Sequence, residues 1–125
     1  MDDINNKLKE IRNEDIIWII YLGIIALSFY SNYLEKDYLI NKNIPSKDKY
    51  QKIMIFIFAV LLIVYLYFLK DSLDSFNDLK ETDSDEKKTL VTLALVASAL
   101  IFISGAIFLY VAIKNDNLDV ELAFN

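Results

Sequence analysis

Residues 53–69 read IMIFIFAVLLIVYLYFL, seventeen uncharged positions held between Lys52 and Lys70. No residue in this run is more polar than tyrosine, so a helix built from it is apolar on every face. A soluble surface helix carries a single apolar stripe, whereas a helix that is apolar all round belongs in a large core or in lipid. At 1.5 Å per residue the run covers about 26 Å, which roughly fits the ~30 Å hydrocarbon layer once its flanking lysines snorkel to the headgroups. Similar runs lie on either side, over residues 16–34 and 89–113. Three such runs in 125 residues leave little chain outside a bilayer.

Composition fits this reading. Hydrophobic residues make up 55% of the chain, and the charges sit in four islands around the three runs instead of being interspersed. The chain has neither cysteine nor histidine. That excludes disulfides, thiolate nucleophiles, histidine bases and the ordinary zinc and haem ligand sets. The net charge of −5 speaks against a nucleic-acid partner, which needs a concentrated basic face. No P-loop, GxSxG or HExxH pattern is present. We therefore expect no cofactor, no metal and no enzymatic activity. Richness in Asn, Lys and Ile suggests a low-GC bacterial source.

The first fifteen residues are acidic and too long for a signal-peptide n-region, so they are expected to stay in the chain. Within them Ile4, Leu8 and Ile11 fall at spacings of four and three, and the rhythm continues through Trp18, Leu22, Ile25 and Phe29. This predicts one long helix over about residues 3–33 whose first third stands outside the membrane. Trp18, Tyr21, Tyr30 and Tyr33 read as aromatic belts. A loop is expected over residues 35–51, with a turn at Asn43-Ile44-Pro45-Ser46 and a helix starting near Ser46. Leu62, Leu66, Leu69, Leu73 and Phe76 carry the second helix roughly two turns past Lys70. One crossing separates the amino terminus from the first loop and two separate it from the second. The two helical extensions are thus expected on the same side, packed as an antiparallel pair with Lys7, Lys9 and Arg12 against Asp71, Asp74 and Asp78. In the second loop, Asp83 and Glu86 have the spacing of a capping box.

Three groups of residues are candidates for function. Ser28, Ser31, Asn32 and Glu35 fall at i, i+3, i+4 and i+7 and form a polar face near the end of the first span. Such a face suits either an aqueous vestibule or the grip of a partner helix. Ala94, Ala97, Ser98, Ser104 and Gly105 give the third helix a broad small-residue face, the composition that lets membrane helices approach closely. In the acidic tail, residues 115–125, Leu118, Val120, Leu122 and Phe124 alternate with Asp119, Glu121 and Ala123. That period-two pattern suits a strand which pairs with another chain. Basic residues number seven on one side and six on the other, so the positive-inside rule does not orient the chain.

In size and span count the chain resembles the three-span phage holins, although those end in a basic tail and this tail is acidic with Lys114 alone near the membrane. It is also similar in gross plan to bacterial diacylglycerol kinase, whose glutamate, asparagine and second glutamate at the membrane edge have no counterpart here. The sequence thus predicts an all-α integral membrane protein: one three-helix transmembrane domain over residues 1–125, multi-pass in a cell membrane. Its expected role is a non-catalytic membrane subunit, either a homo-oligomer or bound to another membrane protein in the lipid bilayer. The alternative is an oligomeric ion channel or holin-like pore.

Overall fold

The computed structural model describes residues 2–114 and is all-α. Helix α1 spans Asp2–Asn41, α2 spans Ile44–Asn77 and α3 spans Asp85–Lys114. Each is long and apolar enough to cross a membrane, so by helix composition the chain is a multi-pass membrane protein with three candidate spans. The tail residues Leu118, Val120, Leu122 and Phe124 lie outside the described residues.

The helices run well past their apolar stretches. Helix α1 begins fourteen residues before Ile16 and continues seven beyond Leu34. Helix α2 continues eight residues beyond Leu69, which is the two-turn projection expected of it. The first loop is much shorter than its composition suggests, since only Lys42 and Asn43 lie between α1 and α2. Charged residues do not break a helix, and Pro45 falls in the first turn of α2, where a missing N–H costs nothing. What stops α1 is Lys42, whose φ of 55° is left-handed. Its N–H donates to the Tyr38 carbonyl at 2.8 Å, closing the helix end.

The chain divides into two compact units, with the boundary inside α2 between Met54 and Ile55. In the first unit the buried positions of α1 are Ile17, Ile24, Ser31 and Leu34, separated by sevens and a three. The first turns of α2 bury Ser46, Tyr50 and Met54, each four residues apart. In the second unit, α2 buries Ile57, Phe58, Leu61 and Val64, while α3 buries Gly105 and Ala112. The rings of Phe58 and Phe108 stack with centroids 5.6 Å apart, and the hydroxyls of Ser72 and Ser98 lie 2.7 Å apart. These two contacts fix α2 and α3 as an antiparallel hairpin.

Ile4, Leu8 and Ile11 on α1 are exposed, as are Leu73 and Phe76 on α2. At 100° per residue, Asp71 and Asp74 fall on the side of α2 opposite Leu69, Leu73 and Phe76.

Candidate functional site

The polar face near the end of the first span does not present four equivalent groups. The Ser28 hydroxyl donates to the Ile24 carbonyl one turn back at 2.8 Å, so its one donor is spent on its own backbone. Ser31 is only 1% exposed and its hydroxyl has no hydrogen-bond partner among the described residues. Asn32 is exposed and Glu35 half-buried. The helix therefore turns Ser31 inward and Asn32 outward, so the face does not present its polar groups together.

A better-built polar cluster lies a few residues further on, at the α1–α2 turn. The Asp37 carboxylate accepts hydrogen bonds from Asn41 Nδ2 at 2.7 Å, Asn43 Nδ2 at 2.9 Å and Ser46 Oγ at 2.6 Å. One acid in the last turns of α1 thus holds the turn and the first turn of α2. Lys47 Nζ sits 5.6 Å from the centre of the Tyr38 ring, adding a cation–π contact across the same turn. The arrangement uses Asp37 as a clamp with its acceptors occupied, and nothing about it implies chemistry. Sequence reasoning missed it because Asp37 and Ser46 are nine residues apart and the intervening chain was expected to be loop.

The expected small-residue face of α3 is divided. Gly105 is buried, and a Cβ placed there would lie 2.8 Å from Tyr65 Cδ2 and 3.4 Å from Leu62 Cδ1. Ser98 is half-buried against Ser72. Ala94, Ala97 and Ser104 are exposed. The half-buried and buried positions of α3 instead include Val91, Leu95, Ser98, Phe102, Gly105, Leu109 and Ala112, a four-three alternation typical of a coiled-coil seam. The exposed Thr92 hydroxyl donates to the Lys88 carbonyl at 2.7 Å.

The α2–α3 turn has its own lock. Ser84 is the N-cap of α3, its Oγ accepting from the Lys87 N–H at 3.1 Å. The cap is thus one residue later than the Asp83–Glu86 spacing suggests. Asp83 instead accepts from the Lys80 N–H at 2.8 Å and from Lys87 Nζ at 3.3 Å, while its own N–H donates to the Lys80 carbonyl at 3.0 Å. The Lys80 N–H foremost, then Lys87, holds the Asp83 carboxyl below the usual carboxylate range.

Among the described residues no group of three or more acidic side chains is placed to hold a metal ion. Comparison with protein-family models, with curated proteins and with solved structures finds no significant match to this chain.

Proposed function

We propose that the chain is a non-catalytic membrane subunit that associates with further copies of itself through α3. The observation that carries this reading is the division of the small-residue face. The contact with α2 uses Gly105 and Ser98, while Ala94, Ala97 and Ser104 remain exposed on a helix apolar enough to sit in lipid. Small side chains at spacings of three and seven let a second helix approach closely, and packing of this kind drives association where lipid removes the hydrophobic advantage of burial. Partner binding by the same face is the heteromeric version of this role.

Because the chain contains no cysteine, single-cysteine variants report contacts without background. Ala97→Cys in nanodiscs or vesicles should yield a disulfide-linked dimer on mild oxidation, and Ala97→Leu should reduce energy transfer between labelled copies. A chain that stays monomeric at every protein-to-lipid ratio would sink the proposal. The pore reading draws on the exposed amide of Asn32 within an apolar run. It requires conductance in planar bilayers that Asn32→Leu alters; silence there, with dimerisation intact, favours the subunit.

A further inference from the structure

The α2–α3 hairpin is out of register with a flat bilayer. Ser72 lies three residues past Leu69, where the uncharged run of α2 ends, yet it meets Ser98, nine residues inside the run that starts at Thr89. Because the helices are antiparallel, Leu69 is level with about residue 101, and α3 continues uncharged for about twelve residues, roughly 18 Å, beyond that level. Over this distance the two helices differ sharply in polarity. Helix α2 carries Lys70, Asp71 and Asp74, with Asp78 just past its end, whereas α3 has no charge between Lys88 and that level. The chain is apolar on one side of the hairpin and acidic on the other, at the same height.

We infer that lipid acyl chains rise along the outer face of α3 in this region while water reaches the α2 extension beside it, so that the hairpin bends the membrane surface around itself. The occupant of the α3 face is identified by continuity. Leu93, Val96, Leu100, Ile103 and Ile107 follow one another at three-four spacing and are all exposed. The deeper members, Ile103 and Ile107, are level with the apolar run of α2 and therefore face hydrocarbon. The stripe continues upward from them through Leu100, Val96 and Leu93 with no charged residue to mark a boundary. A protein-docking patch would carry a polar rim around its apolar centre; this surface carries no charge until Lys87 and Lys88 beyond its end, and its upper edge has only the hydroxyls of Thr89 and Thr92, the latter bonded back to the Lys88 carbonyl. On the other helix, Asp71 and Asp74 share one side, and carboxylates retain charge by staying hydrated. A span longer than its neighbour is accommodated by local change in bilayer thickness or by tilt, and here the mismatch lies within one hairpin. The inference holds whether or not copies associate.

Cysteine labelling in dioleoyl phosphatidylcholine nanodiscs, which leave both membrane faces open, tests it directly. Asp74 and Val96 are level with one another in the hairpin, so Asp74→Cys and Val96→Cys compare the two sides at one depth. Glu81→Cys in the exposed loop and Ile107→Cys in the deep stripe set the limits. With a membrane-impermeant maleimide, Asp74→Cys should react like Glu81→Cys, and Val96→Cys about tenfold or more slower, because hydrocarbon excludes the reagent and disfavours the thiolate. Ser75→Cys and Leu93→Cys form a second pair, used if circular dichroism shows that either first variant has lost helix. Equal fast labelling of both sides would mean that α3 protrudes into water, and equal protection would mean that the α2 extension is submerged. Either result overturns the inference.

Discussion

The hydroxyls of Ser72 and Ser98 lie 2.7 Å apart and join a position just beyond the apolar run of α2 to one well inside that of α3. This single polar contact sets how far the two helices slide past each other. With Phe58 stacked on Phe108 at the other end of the seam, it fixes the hairpin at two points separated by fourteen residues of α2.

Replacing either serine should therefore loosen the hairpin modestly. Interhelical hydrogen bonds in membranes average about 0.6 kcal/mol, with a ceiling near ~2 kcal/mol, because the separated helices find other partners. Ser72→Ala and Ser98→Ala are each expected to fall in that range. The double variant should cost little more than either alone. A double-mutant cycle read by reversible unfolding in bicelles checks this, and strict additivity would show that the two hydroxyls are not coupled.

The two glycines make opposite predictions. Nothing lies within 4 Å of a Cβ added at Gly23, whereas one added at Gly105 would press on the ring of Tyr65. Gly23→Ala should be neutral or stabilising by up to about 1 kcal/mol, the helix propensity difference. At Gly105 the same gain is set against overpacking of about 1–3 kcal/mol, since the atoms in the way are the edge of an aromatic ring and not the end of a flexible chain. Gly105→Ala is expected to lose stability, and Tyr65→Leu should restore part of the loss. Thermal unfolding of the three variants in one detergent ranks them, and the order Gly105→Ala above Gly23→Ala is not compatible with the close approach.

Lys42 holds a left-handed backbone conformation between α1 and α2. For an L-residue with a Cβ this costs roughly 1–2 kcal/mol, and glycine avoids it. Lys42→Gly should stabilise the first unit by about 1 kcal/mol, while Lys42→Val, β-branched at the same φ, should destabilise it. Amide exchange at Lys42, whose N–H is bonded to the Tyr38 carbonyl, is the local readout. Slower exchange in the glycine variant supports the assignment, and faster exchange refutes it.

How much of this was legible beforehand differs by level. The three spans follow from runs such as residues 53–69, where no face is polar and the length fits lipid. The helix limits did not, because Asp37 and Lys36 look like loop residues by charge, although helices accept charge readily and end only where a residue such as Lys42 turns left-handed. The small residues of α3 were visible as a group. Which arc of them meets α2 depends on where Phe102, Phe108 and Tyr65 find space, and a small side chain carries no mark of the neighbour it touches. The Asp37 clamp depends on a turn short enough to bring Ser46 back to it. No local pattern announces that.

The lock at the α2–α3 turn makes a prediction about acid. Asp83 is held below the usual carboxylate range by the Lys80 N–H and by Lys87, so the folded chain favours its ionised form more than the unfolded chain does. The sign follows from linkage. Its contribution to stability is fully present above the ordinary carboxylate pKa of about 4 and is lost as the pH falls through the lowered folded value. The exposed Lys87 partner makes the ion pair itself a minor part of this, and the backbone bond to Lys80 the larger one. Acidification below about pH 4 should therefore lower the protection of the Lys80 amide relative to its intrinsic exchange rate, and Asp83→Asn should remove most of that pH dependence. Ser84→Ala serves as the control, because the Ser84 hydroxyl does not titrate. It should weaken the start of α3 by about 1 kcal/mol at every pH. If Asp83→Asn left the acid response of the turn unchanged, another carboxylate would have to be its source, and the reading of Asp83 as the titrating lock would be wrong.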